Sequence, residues 1–116
     1  MQDATCLFCR IAARTVPAEI VAESNGLLAF KDIRPQAPVH LLVIPMEHIA
    51  SLTETSQTQA ALLSHAVHFA TELAQRYQIR ETGYRLVINT GPDAGQSVNH
   101  LHLHLLGGRA LRWPPG

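Results

Sequence analysis

The chain carries no excess charge of either sign. Nine Lys and Arg are balanced by nine Asp and Glu, and charged residues make up only 16% of the sequence. Such a balance supplies no field to hold a nucleic-acid backbone or an anionic membrane surface, which excludes partners recognised by charge alone. Long hydrophobic runs are also missing: the apolar stretch Val39–Pro45 is far shorter than the ~20 residues that cross a bilayer. The start, Met1-Gln2-Asp3-Ala4-Thr5-Cys6, has neither the basic residues nor the apolar core of a secretory leader, so a cytoplasmic protein is expected. Two cysteines make no disulfide framework. Disorder is excluded by the opposite count, since 47% of the 116 residues are hydrophobic. That length predicts one domain, 1–116. Against this plain background one feature stands out: seven His, three of them within five residues.

The patterning predicts an α+β domain. Leu7, Phe8, Ile11 and Ala12 recur at helical spacing, giving a short helix to about Arg14, capped by Asp3 or Thr5 and kept short by Pro17. Ala18–Glu23 and Leu27–Asp32 read as a hairpin around Ser24-Asn25-Gly26. Beyond the stiff loop Arg34–Pro38, the strand Val39–Pro45 is apolar on both faces and is expected at the centre of the sheet. Ser56–Tyr77 is a long helix with one stripe of Leu62, Ala66, Phe69, Leu73 and Tyr77 and a second of Leu63, Val67, Ala70 and Ala74. That apolar arc is wide for a helix covering one small sheet, which a partner subunit or a deep groove would explain. Tyr84–Thr90 and Val98–Leu106 are the last strands, and residues 107–116 form an extended tail ending Trp113-Pro114-Pro115-Gly116. Helix, three strands, helix, two strands predicts a five-stranded antiparallel sheet.

The run His100-Leu101-His102-Leu103-His104-Leu105-Leu106 alternates strictly, the mark of a strand with Leu on its core face and imidazoles on the other. Same-face residues on a strand are about 6.6 Å apart. Three adjacent rings are hard to accommodate as structural residues, because each needs its own donor and acceptor. Two chemistries use such a row. A metal ion can be shared by neighbouring His, although the outer pair are about 13 Å apart at Cα. Alternatively, a neutral imidazole pinned through one nitrogen attacks phosphorus, while a neighbouring ring donates to the phosphoryl oxygens. The central ring, His102, is then the best-placed nucleophile. Asn89, Gly95, Gln96 and Ser97 bracket the preceding loop and offer an amide, a hydroxyl and backbone N–H groups beside it.

The motif His-φ-His-φ-His-φ-φ, with φ apolar, resembles the signature of the histidine triad (HIT) superfamily, and every position from His100 to Leu106 matches. Asp32-Ile33, Pro35-Gln36-Ala37-Pro38, His40, Leu42–Pro45, His48, Tyr84-Arg85, Val87, Asn89, Gly95-Gln96-Ser97, Gly107-Gly108-Arg109 and Trp113–Gly116 extend the resemblance to the Hint branch over nearly the whole chain. The resemblance implies a homodimeric purine nucleoside phosphoramidase with a HIT-like fold. Such an enzyme cleaves the P–N bond of adenosine 5′-phosphoramidates, or releases AMP from aminoacyl-adenylates, and needs no cofactor for the chemistry. By the same resemblance His102 is the nucleophile, His104 donates to a nonbridging oxygen, and His40 and His100 complete the constellation. Ser97 lies near the leaving group, and Asn89, Gly95 and Gln96 line the phosphate side. Asp32 accepts from the ribose hydroxyls, Ile33 with Leu7, Phe8 and Ile11 sandwiches the purine, and Trp113 reaches toward the partner's site. Taken alone, Leu7, Phe8 and Ile11 are core residues, Asp32 and Asn89 are turn residues, and Trp113 is a tail residue. The rival readings are a non-catalytic nucleotide-binding module, a metal-dependent hydrolase, and a dinucleoside polyphosphate hydrolase of the same superfamily.

Cys6-Leu7-Phe8-Cys9 offers two thiols from one helical start, half of a zinc site. His48 and His100 are the candidates for the other half, as in relatives that hold a structural zinc with such a set. Two inert, partly buried thiols are the alternative.

Overall fold

The strongest local signal, Asn25-Gly26 between two apolar runs, folds as a two-residue hairpin turn. Both turn residues have positive φ (46° and 83°), the primed geometry that matches strand twist. The turn joins β1 (Ile20–Ser24) to β2 (Leu27–Lys31), and β3 (Val39–Pro45) pairs antiparallel with β2. A computed structural model describes residues 2–116; Met1, with which the expected domain begins, lies outside them. The remaining elements are α1 (Leu7–Ala12), α2 (Ala60–Arg76), β4 (Tyr84–Val87) and β5 (Leu103–Gly107). The five strands lie in the order β1-β2-β3-β5-β4, all neighbours antiparallel, with β3 central as its two apolar faces require.

Each face of the sheet has its own core. On one, Phe69, Ala70, Leu73 and Ala74 of α2 cover Leu27, Ala29, Leu41, Val43, Leu103 and Leu105. On the other, Phe8 and Ile11 of α1 cover Leu28, Phe30, Leu42 and Ile44. Because α1 is only six residues long, it covers the β1–β2–β3 side and leaves the second face of β5 open. That opening positions the site.

Several boundaries differ from the sequence expectation. The first helix ends at Ala12, and Arg14 turns the chain with φ 64°. Neither Asp3 nor Thr5 caps it: Asp3 bonds Thr5, and the N-cap is Cys6, whose sulfur accepts from Cys9 N–H. Strand β1 starts at Ile20 and ends at Ser24, and β2 ends at Lys31. The long helix begins at Ala60 after a 3-10 turn over Gln57–Gln59, with Ser56 and Gln59 in a reciprocal capping box. Val67, assigned to an apolar stripe, is 44% exposed. Strand β4 stops at Val87.

The largest correction falls on the histidines. The fifth strand begins at Leu103, not Val98. Leu101 N–H bonds Ile49 O at 2.6 Å, and the Gln96 amide bonds Ala50 O at 2.8 Å, so the preceding segment is tied to the chain beyond β3 rather than to a ladder. Of His100, His102 and His104, only His104 therefore stands on a strand. The three rings do not form one evenly spaced row.

After β5 the chain must turn against the loop before β3. Gly108 has φ 90°, and a Cβ there would lie 2.9 Å from Pro38 Cβ. Gly108→Ala combines backbone strain with a clash against a rigid ring, so a loss of about 2 kcal/mol is expected in denaturant unfolding.

Candidate active site

Every triad imidazole has one nitrogen fixed by a backbone carbonyl or by another ring, and this determines what the other nitrogen can do. His100 is fully buried, with Nε2 2.7 Å from Pro45 O. A carbonyl only accepts, so Nε2 carries the proton and the Nδ1 lone pair faces the sulfurs of Cys6 (3.3 Å) and Cys9 (3.5 Å). His102 Nδ1 lies 2.7 Å from His100 O and therefore donates, leaving Nε2 as a free lone pair. Phe8 packs edge-on against this ring at 5.1 Å, holding its orientation.

His40 is locked in the opposite sense. Gln36 N–H donates to its Nδ1 at 3.0 Å, so the neutral ring carries its proton on Nε2. That N–H points at His104 Nδ1, 2.9 Å away, which in turn places the His104 proton on its outer Nε2. The cross-strand register brings the pair together: Leu42 of β3 lies opposite His104, so His40 is its diagonal neighbour on the same face. A chain of fixed tautomers thus runs from one backbone amide to an outward N–H beside a ring with an outward lone pair. The His102 and His104 ring centres are 5.0 Å apart.

Burial pushes His104 down to about 4, with His102 and His40 adding to the effect and Asp32 opposing it. Burial likewise lowers His40 and His100. At neutral pH these rings are neutral. The sign of the linkage follows: between the ordinary His value of about 6.5 and about 4, the unfolded state binds more protons than the folded one. Stability is expected to be full above pH 6.5 and to fall toward pH 4. The slope from His104 alone approaches about 1 kcal/mol per pH unit, measurable by denaturant melts across that range.

The open face of β5 forms a cavity of about 360 Å³ with strongly apolar walls. It brings together Leu7, Phe8, Ile11, Asp32, Ile33, Ser97, His102 and His104 from the sequence-derived set. Ile33 stands 90% exposed at the rim. His40 lies behind His104, and His100 behind His102. Other expected residues lie elsewhere. The Gln96 side chain is used up by Gly91 N–H, Ala50 O and Val98 O, and Gly95 closes a 3-10 turn with φ 81°. Neither they nor Asn89 line the cavity. Trp113 is 82% exposed on the tail. Sequence reasoning missed Val16, Pro17, Arg34 and Val98 on the wall. It also missed the Pro45 carbonyl and the Gln36 amide, backbone groups that no residue identity announces.

Two clusters have metal-ligand geometry among the described residues: Cys6, Cys9, His48 and His100, and separately Asp32, His40 and His104. Donor chemistry separates them. In the second, a metal would need the Nε2 lone pair of a His40 ring whose Nδ1 lone pair is already taken by Gln36 N–H, which only an imidazolate could supply. In the first, His100 offers a free Nδ1 while its other nitrogen is anchored on a carbonyl, the usual outer support of a zinc-bound His. The sulfur–nitrogen separations of 3.3–3.5 Å match the ~3.5 Å between S and N ligands of a tetrahedral zinc ion. Asp3 N–H also points at Cys9 Sγ. Burial raises the Cys9 thiol, which disfavours a thiolate there without a cation. These four residues fit zinc.

The HIT domain family model matches residues 13–111, and the chain belongs to this family. It is 53% identical over 110 residues to an uncharacterized HIT-like protein of Synechococcus elongatus, covering 95% of this chain and 96% of that protein. The fold is similar to a HIT family hydrolase from Legionella pneumophila (TM-score 0.94, 51% identity, 96% and 99% of the two chains). It also resembles a Zn-bound histidine triad family protein from Mycobacterium smegmatis (0.78, 33%, 90% and 76%). A histidine triad nucleotide-binding protein from Candida albicans is a further match (0.79, 30%, 94% and 82%).

Proposed function

We propose that the protein is a hydrolase that cleaves the P–N bond of purine nucleoside phosphoramidates, as in the Hint branch, through a covalent intermediate on His102. The observation that carries this reading is the opposed tautomer pair at the cavity floor: a lone pair on His102 Nε2 and an N–H on His104 Nε2, both set by hydrogen bonds behind them. A nucleophile beside a donor is the arrangement an in-line displacement at phosphorus requires. The hydrolase and nucleotide-binding descriptions carried by two structural relatives agree with it.

In this mechanism the apolar walls of Leu7, Phe8, Ile11 and Ile33 hold the purine, and Asp32 accepts from the ribose hydroxyls. His102 Nε2 forms a bond to the α-phosphorus as the P–N bond breaks, and the leaving nitrogen takes a solvent proton relayed through the Ser97 hydroxyl, so that it departs as the free amine. Bond formation makes the His102 ring cationic, and its Nδ1–H remains bonded to the His100 carbonyl, which stabilises that charge. His104 Nε2–H donates to the phosphoryl oxygen. Water then attacks phosphorus and gives up one proton to solvent, replacing the one the amine took, the P–Nε2 bond breaks, and AMP leaves with His102 restored as the neutral ring. Zinc, held by Cys6, Cys9, His48 and His100, would cross-link the N-terminal helix to the triad and take no part in these steps. The wide apolar arc of α2 and the exposed Trp113 support a homodimer in which the tail reaches the partner's cavity.

A specific observation favours this reading over a metal-dependent hydrolase, namely the His40 ring whose lone pair is already used. Release of amine and AMP from adenosine 5′-phosphoramidate should persist within about twofold during brief exposure to a chelator at low temperature. Immediate loss of turnover with the fold intact would contradict it.

A further inference from the structure

The proton that His40 offers to His104 has a second claimant. Asp32 Oδ2 lies 3.4 Å from the same His40 Nε2 that stands 2.9 Å from His104 Nδ1. Because Gln36 N–H occupies His40 Nδ1, the ring cannot meet both demands by taking a second proton without breaking that bond. The N–H is thus hydrogen-bonded to His104, while the Asp32 carboxylate sits at ion-pair distance from the same nitrogen and competes for its proton through charge alone. Asp32 also stands at a boundary: it lines the main cavity, and it lines a smaller neighbouring one shared with His40, Pro35 and Pro38. Its own surroundings leave Oδ2 available. Arg34 N–H bonds Oδ1 at 2.8 Å, and the nearby Lys31 ammonium is engaged with Glu19 at 2.8 Å.

We infer that Asp32 is a positioning residue as well as a ribose acceptor: when ribose hydroxyls occupy its carboxylate, the His40 N–H passes wholly to His104. A ring that accepts a stronger hydrogen bond at Nδ1 rearranges its electrons the wrong way for basicity and the right way for donation, so its outer N–H bonds the phosphoryl oxygen more strongly. Recognition of the sugar is thereby linked to stabilisation of charge at phosphorus. A nucleotide lacking the diol would bind with its phosphate in place yet meet a weaker donor.

This inference rests on the nucleotide reading above, and its test separates the two. With ¹⁵N-His-labelled protein, saturating AMP should move the His104 Nδ1 resonance toward the hydrogen-bonded end of its range. Saturating 2′,3′-dideoxy-AMP should move it clearly less. In single turnover at saturation, the dideoxy phosphoramidate should react about tenfold more slowly than the ribo substrate, and the Asp32→Asn variant should narrow that ratio to within about twofold. Equal His104 shifts with the two nucleotides, both bound, would overturn the coupling while leaving the nucleotide reading intact; so would equal saturating rates. Failure of both nucleotides to perturb any cavity residue would overturn both. The resonance comparison uses the native chain, so it stands even if the Asp32→Asn variant folds poorly.

Discussion

His102→Ala should lower phosphoramidate turnover by about 10⁴-fold or more while AMP still binds within a few-fold of the native affinity. The size follows from what the residue does. Removing a donor such as His104 weakens stabilisation of developing charge, a loss of about 10²–10³ by analogy with other oxyanion donors. Removing the group that bonds to phosphorus leaves water as the only nucleophile, in a cavity built to position something else. Binding should survive because the apolar walls and Asp32 are untouched, and His102 is 5% exposed at the cavity floor. The two readouts together distinguish catalysis from folding. Turnover near the native level in this variant would remove His102 as the nucleophile, and no amine release from the native protein itself would return the site to a binding module.

The second large effect concerns stability. Native protein purified without added metal should contain about one zinc per chain, and Cys9→Ser should lose it with a fall in Tm on the order of 10 °C. The four ligands come from three separate places: the start of α1, the turn after β3, and the segment before β5. A single ion there closes two long loops at once, which ties down segments with little other regular structure. If the Cys9→Ser variant melts within a degree or two of the native protein, the pair is a set of small buried thiols. Metal content well below one per chain in both proteins would say the same.

Much of the fold was legible because its signals are local. Asn25-Gly26 specified a hairpin through backbone geometry, and the all-apolar Val39–Pro45 specified a central strand. Boundaries were less legible where tertiary bonds compete with a local pattern. The alternation from His100 to Leu106 reads as one strand, and Leu101, Leu103 and Leu105 are indeed buried. Yet the bond from Leu101 N–H to Ile49 O and the His100 contact with Pro45 O pull the first half away from the sheet. Neither partner can be read from nearby sequence. The candidate site shows the same division. The histidines announce themselves by spacing, and the resemblance brought in Leu7, Ile11 and Asp32, which spacing alone would leave as core or turn. The tautomers depend on the Gln36 amide and on the carbonyls of Pro45 and His100, and a backbone group has no letter in the sequence. Gln96 shows the converse: its place in a loop beside the triad suggested a ligand contact, but its amide is spent on holding that loop.

The account comes down to a bond between His102 Nε2 and phosphorus, and the stereochemistry at phosphorus tests that most directly. Hydrolysis of an adenosine phosphoramidate made chiral at phosphorus with oxygen isotopes and sulfur should proceed with overall retention, because attack by His102 and then by water inverts the centre twice. Overall inversion would mean that water attacks phosphorus directly and that the imidazole never bonds to it.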